Sequence, residues 1–322
     1  AYAYDLGYQV YQRNYVEPYN LKERYGESSY ALVTGSTDGF GKSYARELAR
    51  RGLNLVLVAR NAEKLEKTKQ EIQNEFGVAV ETIKYDFLNS PNYETLLEID
   101  KKTRNLDISV LVNNVGAFAS GNFVDITPKE LNDLIAVNIY PVTFLTHAFA
   151  RRFTKRGQRS AIINVGSEAG EVPYPYLQAY AATKAYDNML TLSLREEIKD
   201  KVDVVAHLPG PSTTPMNDEI AGKLDLNKHK LFFDIFGKLF VGSHEDSVIS
   251  TLNQLGHSHY VAGSARHTLT LEATKAFGPL SVWYRTIHGK LLVDVAKVKP
   301  VRDWQIIHIQ NLFIMFHLII NI

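Results

Sequence analysis

Tyr180 and Lys184 stand four residues apart in Tyr180-Ala181-Ala182-Thr183-Lys184, at the start of a stretch with helical period over 178–199. An i, i+4 pair shares one helical face, so the ammonium can lie beside the phenol. A free phenol has a pKa of about 10, too weak an acid near neutrality, and a neighbouring cation favours the phenolate and brings that value down. Such a pair is equipment for moving a proton to or from an oxygen. Ser167 falls thirteen residues earlier, just after an apolar run at 161–165. Asn138 lies in the middle of another helical stretch, 128–153, where an Asn is intrinsically unfavourable and needs a reason. Singly, each has an ordinary reading as a helix-surface pair, a turn serine or an exposed amide. Together, behind a glycine-rich turn, they are specific.

Positioning these groups requires a frame, and the chain supplies one. Short apolar runs at 30–34, 53–59, 78–85, 108–113, 161–165, 202–208 and 260–262 are mostly unbroken, as strands buried on both faces should be. Between them, helical period marks 41–51, 61–76, 92–104, 128–153, 178–199 and 244–256. Alternation of this regularity predicts an α/β fold: one doubly wound, Rossmann-type parallel sheet of seven strands with helices on both faces.

The first run leads straight into Thr34-Gly35-Ser36-Thr37-Asp38-Gly39-Phe40-Gly41, with a helix opening near Lys42. Glycines at 35, 39 and 41 allow a tight turn, close backbone approach to a diphosphate and close helix–strand packing, while the helix N-terminus points free N–H groups at the phosphates. Glycines also cap helices and fill turns, so the weight comes from the place between first strand and first helix. Arg60 stands at the end of the second run, where a site for NADH would carry an acid. A cation there suits a 2′-phosphate and favours NADPH, although a solvated arginine at a strand end reads the same way. Asp86, after the third run, is a contact for the adenine edge. Asn113-Asn114-Val115-Gly116 ends the fourth run at the sheet edge where ligands of open α/β sheets bind.

Composition bounds the remainder. The 322 residues carry 36 Lys+Arg against 35 Asp+Glu, a net charge of +1 that argues against a dedicated nucleic-acid binder. The chain has no cysteine, which excludes disulfides, thiolate catalysis and cysteine-based metal sites. Ten histidines are scattered, and the closest pair, His257 and His259, has no carboxylate at ligand spacing, so no metal is expected. Residues 1–29 form a tyrosine-rich polar arm without helix or strand period, expected to lie on the domain or on a partner. The chain opens on alanine with no secretory signal, which reads as a processed or truncated form. The domain itself spans 30–263. Within it, 209–243 is an insertion whose Leu231, Phe232, Ile235, Phe236, Leu239 and Phe240 make one apolar stripe, either a lid over a lipid-like substrate or ordinary packing.

The segment 264–322, read as a helical tail, carries seven Lys/Arg against three Asp/Glu. Its net charge is +4, leaving −3 for the rest of the chain. Its last part, 304–322, has no Lys, Arg, Asp or Glu and is about long enough to span a bilayer as a helix, but Gln305, His308, Gln310, Asn311, His317 and Asn321 make it a poor span. An interfacial helix, a helix packed on a partner protein and a stretch outside the native coding sequence are the other readings.

On these residues the chain resembles the short-chain dehydrogenase/reductase family over 30–263. The cofactor turn at 34–41, Asn113-Asn114-Val115-Gly116, Asn138, Ser167, Tyr180 and Lys184 stand in the family's order and spacing, and Pro209-Gly210-Pro211-Ser212-Thr213-Thr214 is similar to its segment after the sixth strand. Ser212 stands where the family usually has an apolar residue, and Val115 where Ala is commonest. Within the family the likeness is nearest to very-long-chain 3-oxoacyl-CoA reductases and 17β-hydroxysteroid dehydrogenases, carried by Leu21-Lys22-Glu23-Arg24-Tyr25-Gly26, by Thr37-Asp38-Gly39 within the turn, and by Gly52-Leu53-Asn54-Leu55-Val56-Leu57-Val58-Ala59-Arg60. Beyond Pro209 it fades.

The resemblance implies that NADP(H) binds on Gly35, Ser36, Thr37, Asp38, Gly39, Phe40, Gly41, Arg60, Asp86, Asn114 and Gly116, with Tyr180, Lys184, Pro209, Gly210 and Thr214 around its nicotinamide. It implies reduction of a lipid-like ketone, with Tyr180 as proton donor, Lys184 lowering its pKa, Ser167 on the carbonyl oxygen and Asn138 holding a water that links Lys184 to solvent. It further implies a homodimer through the helices at 128–153 and 178–199, and a membrane-associated protein of the endoplasmic reticulum, with the tail on a membrane surface or protein partner. The rival expectation is a structural accessory subunit of a larger, mitochondrial membrane assembly that retains the fold.

Overall fold

The computed structural model describes residues 2–89, 93–212 and 242–263, together with 267, 268, 271, 272, 275 and 285. Seven strands, β1 (Tyr30–Thr34), β2 (Asn54–Ala59), β3 (Val80–Lys84), β4 (Ile108–Asn113), β5 (Ser160–Val165), β6 (Val202–His207) and β7 (Tyr260–Val261), form one sheet in the order β3-β2-β1-β4-β5-β6-β7. Every adjacent pair is parallel. The order reverses between β1 and β4, which opens a crevice at the carboxyl edge of those strands.

Period-two geometry explains why the strand runs are unbroken. Ala31, Val33, Leu55, Leu57, Val110, Val112, Ala161, Ile163 and Val205 face one core. They pack there with Tyr44 and Leu48 of α3 (Gly39–Arg50) and with Val248 and Leu252 of the helix His244–Asn253. Leu32, Val56, Val58, Leu111, Ile162 and Val204 face the other core. Against them lie Leu96 and Ile99 of α5 (Tyr93–Lys102) and Leu145, Phe149 and Phe153 of α7 (Tyr140–Phe153). Because both faces are covered, both sets of alternate residues are mainly apolar, and among the buried polar strand residues Asn113, Asn164, Asp203 and His207 each carry a hydrogen-bond partner. The helix α4 (Ala62–Phe76) opens on Asn61, whose side chain accepts from Lys64 N, and closes on Gly77 in the left-handed conformation.

Two expectations are corrected. The arm is helical: α1 (Tyr2–Tyr15) and α2 (Leu21–Tyr25) precede the sheet. Tyr8 donates to His257 O at 3.3 Å and Arg13 to Gly263 O at 3.0 Å, which holds α1 on the domain. Leu21 and Tyr25 are buried in the first core. A five-residue helix shows only one i, i+4 pair, too little for a period to appear in the sequence. The stretch 128–153 is likewise two helices, α6 (Pro128–Asn138) and α7, broken at Ile139. Pro141 has no N–H for the carbonyl four residues back, and its ring crowds that carbonyl, so the helix turns there. A single α8 (Gln178–Ile198) and α9 (His244–Asn253) follow. The substrate-lid stripe at 231–240 and the segment 304–322 lie outside the described residues.

Candidate active site

The carboxyl edge of the sheet gathers the polar residues of the sequence pattern. At the end of β1, Gly35 takes φ +64° and Gly39 φ +45°, conformations that side-chain-bearing residues rarely adopt. Asp38 caps α3, its carboxylate accepting from Gly39 N at 3.0 Å. A Cβ on Gly41 would stand 2.1 Å from Gly35 O and 2.5 Å from Asn114 Nδ2. The turn is therefore folded tightly onto the helix start, and only glycine leaves the backbone bare. Ser36 is buried, with its Oγ on Val58 O at 3.4 Å, and Phe40 meets His207 edge-on at 5.3 Å. This is a cradle of bare backbone on a helix N-terminus, the chemistry a diphosphate needs. Thr37 lies in the turn, half-buried.

Asn114 ties the turn to β4. Its N donates to Thr34 Oγ1 at 2.9 Å and its Nδ2 to Thr34 O at 3.0 Å and Gly35 O at 3.3 Å. Arg60 is exposed beyond β2 and makes no ion pair among the described residues. Asp86 follows β3, where its carboxylate accepts from Leu88 N and Asn89 Nδ2, both at 3.1 Å.

Across the switch point, Ser167 follows β5. Its Oγ accepts from Ala169 N at 3.1 Å and donates to Pro209 O at a long 3.4 Å, so the loop after β6 rests on it. A Cβ on Gly210 would meet Glu168 Oε2 at 2.9 Å and His267 Cδ2 at 2.8 Å. Burial pushes the Glu168 carboxyl up, against the opposing pull of Arg285 and His267. Thr214 lies outside the described residues.

Tyr180 and Lys184 sit in the first two turns of α8. Tyr180 packs on Phe118 with ring centroids 5.1 Å apart. Lys184 is buried, its Nζ donating to Val165 O at 2.9 Å and to Asp187 Oδ2 at 3.0 Å. Burial disfavours the ammonium, but Asp187 and the Tyr180 hydroxyl outweigh it and hold Lys184 above its ordinary range. Asn138 closes α6. Its Oδ1 accepts from Ala117 N at 2.7 Å, and its Nδ2 donates to Ala117 O at 3.0 Å and to Thr183 Oγ1 at 2.9 Å. A mid-helix asparagine needs a reason, and here it stands at a helix end whose amide clamps the loop after β4. A Cβ on Gly116 would lie 3.6 Å from Asn138 Oδ1 and 3.8 Å from Lys184 Nζ, so one small molecule over Gly116 can touch both.

Three further sets of residues shape the site, and of their members only Asn113 stands in a motif that the sequence singles out. Asn113 Nδ2 donates to Asn164 Oδ1 at 2.8 Å and Thr146 Oγ1 at 2.9 Å, while Asn164 Nδ2 donates to Thr191 Oγ1 at 2.9 Å. This buried amide ladder locks β4 and β5 to α7 and α8. Two asparagines inside apolar strand runs were its signal. Asn188 Nδ2 donates to Ser167 O at 3.1 Å and fixes that turn from α8. Asp187 is the third, one turn beyond Lys184.

The family model described as short chain dehydrogenase matches residues 29–225. A very-long-chain 3-oxoacyl-CoA reductase of Caenorhabditis briggsae is 35% identical over 266 residues, covering 80% of this chain and 78% of that protein. Among solved structures, a short-chain dehydrogenase from Sphingobium yanoikuyae in complex with NADPH is 28% identical with a TM-score of 0.61, covering 77% of this chain and 94% of the other. A 7beta-hydroxysteroid dehydrogenase structure superimposes with a TM-score of 0.72 at 24% identity, covering 84% of this chain and all of that one, and so shares the fold. With its order of strands, its glycine turn and its Tyr-x-x-x-Lys helix, the chain belongs to the short-chain dehydrogenase/reductase family of oxidoreductases.

Proposed function

We propose that the chain is an NADPH-dependent ketone reductase acting on a lipid-like 3-oxoacyl thioester, with a ketosteroid as the other ketone such a site would take. The carrying observation is Tyr180 beside a buried Lys184 on α8, next to the loop of Asn114 and Gly116 that leads from the glycine cradle. Bound NADPH would supply the hydride. Tyr180 gives its phenolic proton to the carbonyl oxygen as charge develops there. Ser167 Oγ, held on Pro209 O only by its long bond, turns to donate to the same oxygen. Lys184 puts a positive charge beside the phenol, which stabilises the negative charge left on its oxygen as the proton leaves. Asn138 pins the loop over Lys184, and its Oδ1 retains one lone pair for a water near Nζ, the route by which Tyr180 regains its proton.

The preference for NADPH is supported by Arg60, exposed and without an ion pair among the described residues, and by the NADPH in the Sphingobium structure. The thioester is supported by the name of the Caenorhabditis relative. Residues 264–322 would supply contact with a membrane or partner, the endoplasmic reticulum being the compartment that the resemblance favours. Among the described residues no helix is long and apolar enough to cross a membrane.

The test is NADPH fluorescence on binding, followed by its oxidation with a panel of 3-oxoacyl-CoAs and ketosteroids. Turnover on the thioesters is expected, with Tyr180→Phe binding NADPH normally and losing about 10²–10⁴-fold in ketone reduction. Undiminished turnover in that variant rejects Tyr180 as the donor. Binding without turnover of any ketone leaves the accessory-subunit reading in its place.

A further inference from the structure

Asp187 is a carboxylate in a place where the proposed chemistry asks for none. It stands one helical turn after Lys184, with Oδ2 3.0 Å from Nζ, and the two side chains are only 3% and 7% exposed. An exposed i, i+3 pair on a helix is worth little and carries no message. A buried pair is different, because each charge lost its water and would be costly without the other. Asp187 Oδ1 is buried without a hydrogen-bond partner among the described residues, so nothing there but Lys184 compensates the carboxylate side chain.

The other charged or titratable groups packed on this part of α8 have partners of their own. In the turn after β5, Glu168 lies against Arg285 and His267, and Glu171 pairs with Lys275 at 3.1 Å. On β6, Asp203 is tied to Arg24 and Arg159, and His207 is a buried neutral ring. On α6, Lys129, Glu130 and Asp133 belong to the solvent-facing first turns. β5 has no ionisable side chain. Among the described residues Asp187 is therefore the one carboxylate in contact with Lys184 Nζ.

We propose that Asp187 is a positioning residue of this site: its carboxylate anchors Nζ of Lys184 and keeps both protons on the Tyr180–Lys184 pair, setting the site to give a proton to a ketone oxygen rather than to take one from an alcohol. The inference rests on the reading of Tyr180 as the proton donor. In reduction the Tyr180 O–H bond breaks and a new O–H bond forms on the substrate oxygen, so the pair must start as phenol and ammonium. In the reverse direction it must first give up a proton. A bare ammonium favours the phenolate, and a carboxylate at 3.0 Å offsets part of that field. The direction of the effect is the same whichever member of the pair yields its proton first. Removing a nearby negative charge lowers the proton affinity of the two groups taken together.

Asp187→Asn keeps the shape and removes the charge, so it is the variant to titrate. Two readouts need neither cofactor nor turnover. Tyrosinate absorbance, with Tyr180→Phe as the blank, follows the phenol. The carbon-13 shift of ε-labelled lysine, with Lys184→Met for assignment, follows the ammonium. In Asp187→Asn the first proton of the pair is expected to leave about one pH unit lower than in the parent, and the alkaline limb of ketone reduction should move with it. Asp187→Glu, which restores the charge, should return both curves to the parent position.

If both groups titrate unchanged in Asp187→Asn, or if Asp187→Glu shifts them as far, the effect is not one of charge and the proposal is wrong. Should Asp187→Asn fail to melt cooperatively, Asp187→Leu tests the same loss of charge in a side chain that packs. Failure of the parent reading looks different: Tyr180→Phe would keep its turnover whatever the titrations do.

Discussion

At the scale of single residues, the cofactor cradle depends on an atom that is missing. A Cβ on Gly41 would lie 2.1 Å from the carbonyl oxygen of Gly35, a backbone atom that cannot rotate away. Gly41→Ala therefore has to lift the turn off α3, and the surface offered to the diphosphate moves with it. NADPH affinity measured by fluorescence titration should fall at least about tenfold, with a loss of about 1–3 kcal/mol in stability from the overpacking. Unchanged affinity would remove 35–41 as the phosphate site. The contrast is Gly116, where an added Cβ meets Asn138 Oδ1 at 3.6 Å and Lys184 Nζ at 3.8 Å, ordinary contacts that leave the fold alone. Both glycines stand in recognisable motifs, yet only the three-dimensional neighbours distinguish a steric requirement from a tolerance.

At the scale of elements, one acid gathers the polar side chains that tie α2 to the sheet. Asp203 on β6 accepts from Arg24 at 2.6 and 3.1 Å, from Tyr25 at 2.8 Å and from Arg159 at 2.9 Å. Its side chain is buried while Arg24 and Arg159 are partly wetted, so breaking the cluster costs less than a fully buried pair would. Asp203→Ala should lower stability by about 2–4 kcal/mol in urea denaturation, and Tyr25→Phe, which deletes one hydrogen bond, by about 1 kcal/mol. Equal losses would mean that the Tyr25 hydrogen bond, not the arginine pairs, carries what the acid contributes. None of this was legible in the sequence, because Asp203 interrupts an apolar run 178 residues from Tyr25 and pairs only through the fold. The strands were legible, since burial on both faces leaves unbroken runs. The break between α6 and α7 had a local sign in Pro141 that period alone overrode. Tyr180, Lys184, Ser167 and Asn138 stood out through their combination: an i, i+4 pair, a serine just after a strand and an asparagine inside a helical stretch, all behind the glycine turn. Asp187 did not, since an acid three residues after a lysine reads as a solvated helix face until burial is known.

At the scale of the molecule, parallel strands send every carboxyl end to one edge. The glycine turn, Asn114, Ser167 and Pro209 collect there, and the Asp203 cluster ties the arm to β6 from outside that set. Between the two, the core on one face of the sheet holds a polar chain: Tyr44 of α3 bonds His207 Nδ1 at 2.9 Å, and His207 Nε2 bonds Ser247 of α9 at 2.7 Å. Burial pushes the imidazole down to about 3, well below its ordinary 6.5. The unfolded chain thus takes up a proton on His207 as the pH falls below about 6.5, while the folded chain refuses it until about 3. The stability from this group is complete above 6.5 and declines as the pH is lowered, by at most about 1.4 kcal/mol per pH unit. His257, lowered chiefly by burial, pulls in the same direction. The carboxylates that their arginine partners hold below the ordinary carboxylate range, Glu47 and Asp107 among them, lose their contribution only as the pH falls through and below that range, at the acid end. The melting temperature should therefore fall steadily between pH 6.5 and 5. His207→Gln, which keeps a donor and an acceptor but cannot be protonated, should flatten most of that slope. A slope as steep in His207→Gln as in the parent would assign the acid sensitivity to groups outside this core.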